Sequence, residues 1–132
     1  MARPCPCGRK LTYDTCCGRF HSGAIRPETA LELMRSRYAA YVEGLVDYLV
    51  ATTGGVAAAG LDPAELVTFC TGLRAAGLDI LKTEAGAAAD TTGVVAFRAK
   101  LRKHGQNIVI EERSRFERGP EGQWLYVDGC EV

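Results

Sequence analysis

Val95-Ala96-Phe97-Arg98-Ala99-Lys100-Leu101-Arg102 is the stretch that decides the fold. Val95, Phe97, Ala99 and Leu101 alternate with Arg98, Lys100 and Arg102, the period of a strand with one buried face. Its predicted partners flank it. After Gly77 the apolar period changes from helical to alternating, so Leu78-Asp79-Ile80-Leu81-Lys82-Thr83 reads as a strand. His104-Gly105 makes a turn. Ile108, Ile110 and Phe116 then set the inner face of a third strand, opposite Glu111, Arg113, Arg115 and Glu117. Gly119-Pro120-Glu121-Gly122 is the next turn, and Gln123 to Asp128 forms the last strand, ended by Asp128-Gly129. Within it Trp124 and Tyr126 alternate with Leu125 and Val127, so one pair is expected inside and the other outside. Strands joined by short turns predict an antiparallel four-stranded meander.

Helices precede the strands. Thr29-Ala30-Leu31-Glu32 is a capping box, in which hydroxyl and carboxylate satisfy the free amides of a helix start. The helix is predicted to run to about Glu43, with Leu31, Met34, Tyr38, Tyr41, Val42 and Leu45 as its core-facing stripe. Gly44 breaks it, and a shorter helix follows through Val46, Leu49 and Val50 to Thr52. Gly54-Gly55 to Gly60 reads as a flexible connection. Asp62 caps a third helix with Pro63 in its first turn, and Leu66, Val67, Cys70 and Leu73 give it an apolar face. About three helices over one face of a curved sheet make an α+β arrangement.

The chain has 132 residues, 47% of them hydrophobic, enough for one ordinary domain and a small appendage. It contains no run of 18 apolar residues and no apolar leader, so no membrane span is expected and a cytoplasmic location is. Sixteen basic side chains balance sixteen acidic ones. The first 26 residues nevertheless hold Arg3, Arg9, Lys10, Arg19 and Arg26 against Asp14 alone. Such a segment can meet an acidic partner or nucleic acid. It can equally offset the charge of a thiolate cluster, which is the simpler reading.

That cluster is the chemical focus of the chain. Four of the six cysteines stand in Cys5-Pro6-Cys7-Gly8 and Cys16-Cys17-Gly18. A tight turn can aim Cys5 and Cys7 at one point, with Gly8 free to curl back. Cys16 and Cys17 close the site, or His21 replaces Cys17. Four thiolates suit a tetrahedral ion such as Zn2+ and leave no open position, which indicates a structural ion. Disulfide pairing is the competitor. Adjacent cysteines bridge only with strain, and a reducing compartment favours metal. Cys70 reads as a small core residue and Cys130 as a free thiol, neither with a partner at metal spacing.

The cysteine pattern resembles the SEC-C motif, a short zinc module also found at the C-terminal tail of the preprotein-translocase ATPase, where it docks partners. The resemblance implies Cys, Cys, Cys and His or Cys as ligands. Members usually carry Gly-Ser-Gly after the second cysteine, where this chain has Gly8-Arg9-Lys10. If the third position needs positive φ, Lys10 carries a strain that glycine would not. The remainder resembles the cystatin-like cone of the nuclear-transport-factor-2-like superfamily, and more closely the YchJ-like family of SEC-C proteins. The residues are Leu33-Met34-Arg35-Ser36-Arg37-Tyr38 with Tyr41, then Asp47-Tyr48-Leu49. Further on come Thr83-Glu84 with Gly86, Gly93 with Phe97, Glu112-Arg113-Ser114-Arg115-Phe116, Trp124 and Tyr126-Val127-Asp128-Gly129. Family members often place Trp-His-Pro after the second helix, where this chain runs Ala51-Thr52-Thr53-Gly54. The resemblance implies a SEC-C motif and linker over residues 1–26, with His21 to Pro27 as the connection, and a nuclear-transport-factor-2-like domain over 27–132.

Glu112 and Ser114 share strand parity with Ile108, Ile110 and Phe116, which places polar groups on the buried face. In a cone fold that face opens into a cavity. A carboxylate there needs a partner or a shifted pKa. It is either one half of an ion pair with Arg35 or Arg37, or a ligand-pocket carboxylate. As a catalytic acid or base, Glu112 lacks a clear second group, because the histidines fall in the linker and a turn. Tyr38, Tyr41 and Tyr48 read as core. The expected function is therefore a non-enzymatic module. A zinc knuckle in residues 1–26 meets a protein or ribonucleoprotein partner, and the cone serves as scaffold. The alternatives are small-molecule binding or catalysis in the cone cavity, and RNA or ribosome binding through the basic N-terminal segment.

Overall fold

The computed structural model describes residues 3–132. The first two residues of the 1–26 segment lie outside the described residues. A short 3-10 turn at Tyr13–Thr15 leads into α1 (Cys17–His21), then α2 (Ala30–Glu43), α3 (Val46–Ala51), α4 (Gly55–Ala59) and α5 (Pro63–Cys70). Four strands follow as β1 (Leu73–Ala85), β2 (Thr92–Lys103), β3 (Gln106–Arg118) and β4 (Trp124–Glu131). They form one antiparallel sheet in the order β1-β2-β3-β4, the expected meander.

Central strand β2 follows the alternation read from sequence. Val95, Phe97, Ala99 and Leu101 are buried, and Phe116 of β3 joins them. On the outer face the charges pair across strands, with Arg98 bridging to Glu111 at 2.6 Å and Lys100 to Asp79 at 3.0 Å. Helix α2 closes the inner face with Ala30, Leu33, Met34 and Tyr38. Its start is the expected cap: Thr29 accepts from the Glu32 amide at 3.1 Å. The Glu32 carboxylate reaches the amide of Glu28 rather than that of Thr29. Gly44 ends the helix in the left-handed conformation that glycine adopts without strain.

Two glycines set how closely the helix approaches the sheet. The Ala30 amide donates to the Gly86 carbonyl at 3.0 Å. A β-carbon at Gly93 would lie 2.5 Å from the Gly86 α-carbon and 3.0 Å from the Ala30 methyl. Side chains are thus excluded where α2 meets the β1–β2 turn. Trp124, 2% exposed, donates from its indole to the Glu28 carbonyl at 2.9 Å and locks the segment before α2 against β4.

Several expectations need correction. Strand β1 begins at Leu73, not Leu78, because bulges between Ala75 and Gly77 and between Ile80 and Lys82 interrupt its alternation. The Gly54–Gly60 region is not a loose connection: Gly55–Ala59 forms α4, packed on β4. With α1 and α4, five α-helices are present among the described residues rather than about three. His21 belongs to α1 and not to the linker. Leu66 of α5 is only partly buried and Val67 is 53% exposed, so its apolar face is narrower than predicted.

β4 continues to Glu131, past the expected stop at Asp128-Gly129. The alternation expected within β4 holds: Trp124 and Tyr126 face the core, while Leu125 and Val127 lie on the other face, against Gly54 and Gly55. Phe116 pairs with Tyr126 and Arg115 with Asp128, leaving Val127 as an extra residue. Val127 is nevertheless buried, because α4 covers that face beside Gly55.

Candidate metal centre and interior cavity

The N-terminal knuckle is built by a small antiparallel pairing. The Cys5 amide donates to the Leu11 carbonyl at 2.9 Å, and the Tyr13 amide to the Arg3 carbonyl at 2.8 Å. Gly8 turns the loop between them with φ +85, and Lys10 holds φ +63, the positive value that the loop demands of its third position. The 3-10 turn then delivers Cys16 and Cys17 back to Cys5 and Cys7. All four are buried, and their sulfurs lie within 4.8 Å of one another. Cys7 and Cys16 are 3.5 Å apart, and Cys16 and Cys17 are 4.0 Å apart. None is in a disulfide.

This crowding redistributes protons. The Cys7 thiol is pushed well below its usual range by the neighbouring thiols of Cys17 and Cys5. Cys17 is pushed up by the same two neighbours, and Cys16 is pushed up by burial and by Cys7. Favouring a thiolate at Cys7 while disfavouring it at Cys16 and Cys17 limits the repulsion among these close sulfurs. A bound cation would permit all four to ionise. The group could hold a metal ion.

His21 stands apart from this group. Its Nε2 donates to the Ser36 carbonyl at 2.8 Å, which fixes the tautomer, and its Nδ1 accepts from the Tyr13 hydroxyl at 2.5 Å. The Tyr48 ring meets it edge-on, with centroids 4.8 Å apart. Burial lowers its pKa. Both nitrogens are occupied, so in this arrangement the imidazole joins the knuckle to α2. Ala39 of α2 packs among the cysteines, and Arg35 donates to the Cys7 carbonyl at 3.1 Å.

Of the five cations in the N-terminal segment, Arg3 makes a two-pronged pair with Glu43, both bonds at 2.8 Å. Arg26 donates to the Glu121 carbonyl at 2.8 Å, and Arg19 turns back to the Cys16 carbonyl at 3.0 Å. Arg9 and Lys10 are exposed at the loop tip and, among the described residues, in no ion pair.

Glu112 lies where strand parity placed it, on the inner face of β3, half-buried. It lines a cavity of about 140 Å³ between α2 and the sheet. Its Oε2 accepts from Ser114 at 2.5 Å and from Tyr126 at 3.1 Å. The expected ion pair to α2 does not form. Arg35 is committed to Cys7. Arg37, 8% exposed, uses Nη1 on the Leu49 carbonyl at 3.1 Å and on the hydroxyls of Thr52 at 2.7 Å and Thr53 at 3.1 Å. Its guanidinium stacks 4.8 Å from the Tyr126 ring centre. Burial lowers the Arg37 pKa from a value so high that the group stays charged.

Sequence reasoning missed Arg37 as the cap of α3. It also missed Gly129, where a β-carbon would lie 2.5 Å from Glu112 Oε2 and 2.7 Å from the Tyr126 hydroxyl. The signal was faint: an arginine on α2 fifteen residues before a Thr-Thr pair, and a glycine opposite Ser114 in register.

A four-stranded antiparallel meander closed by α2, with a cysteine knuckle on that helix, defines an NTF2-like α+β protein with an N-terminal SEC-C-type knuckle. The family described as YchJ, middle NTF2-like domain, matches residues 29–129, and the chain belongs to it. A UPF0225 protein of Streptomyces coelicolor is 47% identical over 129 residues, covering 96% of this chain and 94% of its own. A UPF0225 protein of Vibrio parahaemolyticus is 39% identical over 134 residues, covering 98% of this chain and 75% of its own. The solution structure of a SEC-C motif containing protein from Rhodopseudomonas palustris matches with a TM-score of 0.84 at 30% identity, over 98% of this chain and 99% of that one. A crystal structure of a SEC-C motif containing protein from Psychrobacter arcticus matches with a TM-score of 0.79 at 26% identity, over 96% and 81%. Among the described residues no helix is long and apolar enough to cross a membrane.

Proposed function

We propose that the chain is a zinc-binding SEC-C protein whose knuckle docks a protein or ribonucleoprotein partner, with the α+β body as scaffold. The observation that carries the reading is the convergence of four buried sulfurs within 4.8 Å. A tetrahedron of thiolates about 2.3 Å from zinc has edges of about 3.8 Å. The 3.5 Å and 4.0 Å separations bracket that value. Cys5, Cys7, Cys16 and Cys17 would hold the ion, and with four protein ligands it would rigidify the loop rather than bind substrate.

The docking surface follows from which cations remain free. Arg3 and Arg26 are tied to Glu43 and Glu121, so the face offered to a partner is the loop tip Gly8-Arg9-Lys10-Leu11, in which Leu11 is 39% exposed. Two cations around one apolar side chain suit an acidic protein segment or a phosphate backbone. Metal analysis tests the first half of the reading. About one zinc per chain is expected, lost in Cys16→Ser and kept in His21→Gln; a metal-free protein that folds normally at neutral pH would sink it. Partner capture repeated with Arg9→Glu and Lys10→Glu tests the second half, since undiminished capture places the contact elsewhere.

A further inference from the structure

We infer that the cavity under α2 is a binding site for a small uncharged aromatic compound bearing a hydroxyl or N–H group. The inference is independent of the metal reading. Size is the first observation. The space measures about 140 Å³, and an apolar cavity of about 150 Å³ holds a benzene ring. Met34, Phe97, Ile110 and Phe116 supply an apolar wall, while Ala99 leaves room that a larger side chain would fill. Native cores rarely leave such voids.

The second observation is the polar end. Glu112 faces the space with a carboxylate that receives two neutral hydroxyls, both on Oε2, and among the described residues it is in no ion pair. Oε1 has no donor among the described residues, so it is the acceptor offered to a ligand. Gly129 is the residue that allows this placement, because any β-carbon there would displace the carboxylate. Glu112 and Ile110 also line a second, more open groove along Gly129 to Val132, so the carboxylate stands at the mouth between cavity and solvent.

Charge selects the ligand class. Arg37 is charged and buried at the cavity wall, which repels a cation. Glu112 at the mouth repels an anion. A neutral ring that donates one hydrogen bond satisfies both, and it places its apolar body against Met34, Phe97 and Phe116. Hydrogen bonds to charged groups are among the stronger ones, so the donor should distinguish otherwise similar rings.

The test is a titration of the 132-residue chain as purified with phenol, toluene, benzoate and benzylammonium at pH 7, followed by NMR. Phenol is expected to give saturable shifts at Ala99, Ile110 and Phe116, with toluene about tenfold weaker and neither ion binding there. Glu112→Gln should weaken phenol several-fold and leave toluene unchanged. Ala99→Leu should abolish both by filling the space. If Ala99→Leu does not fold, as judged by circular dichroism, Glu112→Gln decides alone. The inference is overturned by an absence of saturable phenol shifts at these residues, by toluene or benzoate binding as tightly as phenol, or by unchanged phenol affinity in Glu112→Gln.

Discussion

His21 and Ser36 are joined by a hydrogen bond of 2.8 Å from the imidazole Nε2 to a helix carbonyl, and this bond holds the knuckle on the body. The same ring accepts from Tyr13 and packs on Tyr48. His21→Phe keeps the ring volume and deletes both hydrogen bonds. It should cost about 1–3 kcal/mol in urea denaturation, while zinc content stays at the wild-type level. A loss of zinc without loss of stability would show that the imidazole serves the ion.

A pH dependence follows from the same ring. Burial lowers the His21 pKa from 6.5 in the folded state. The unfolded chain therefore takes up the proton first as pH falls. The contribution is full above about pH 6.5 and is lost as pH drops through that value toward the folded pKa. Stability measured from pH 8 to pH 5 should fall more steeply in the wild type than in His21→Phe. Parallel curves would exclude this origin.

Lys10 sits at φ +63 in a loop where it is exposed. Positive φ costs a side-chain-bearing residue roughly 1–2 kcal/mol, and glycine returns part of that gain as entropy of the unfolded chain. Lys10→Gly is expected to stabilise the protein by about 0.5–1 kcal/mol in chemical denaturation. A neutral or destabilising result would mean that the lysine makes a contact worth as much as the strain.

Chelation should act locally. The sulfurs converge on one point, but the core of the body lies on the other side of α2, in Leu33, Phe97, Phe116 and Trp124. If the proposed ion is bound, removing it should broaden the NMR signals of residues 5–21 and leave those of β1 to β4 sharp. Cooperative unfolding of the sheet on chelation would contradict this.

Gly93→Ala probes the helix–sheet approach. The new methyl would meet the Gly86 α-carbon at 2.5 Å and the Ala30 methyl at 3.0 Å, and backbone cannot swing aside as a side chain can. A loss of about 1–3 kcal/mol is expected. Ala30→Gly in the same background relieves the methyl contact and should recover little, because the contacts with the Gly86 backbone remain.

Much of the fold was legible because the strands of the meander obey a period of two and α2 carries both its cap and its stop. What escaped was controlled by single residues out of step. Bulges in β1 hid its first residues from the alternation, and the bulge at Val127 let β4 pair beyond the expected stop. Helix α4 was invisible because Gly55-Val56-Ala57-Ala58-Ala59 has no cap or amphipathic stripe, and its packing on β4 decides its state. The sulfur cluster could be read from spacing alone. The use of His21 could not, since its acceptor lies on a helix fifteen residues away.

The knuckle has no floor of its own. Ala39 packs among its sulfurs, Arg35 holds the Cys7 carbonyl and Ser36 receives His21, so three residues of one α2 face finish what the first segment begins. Excision would strip away that underside and leave a hydrated, loosened loop. Transplanting the cysteine motif onto another protein thus means rebuilding a helix face beneath it, and what evolution moves between chains is a ligand pattern rather than a finished part.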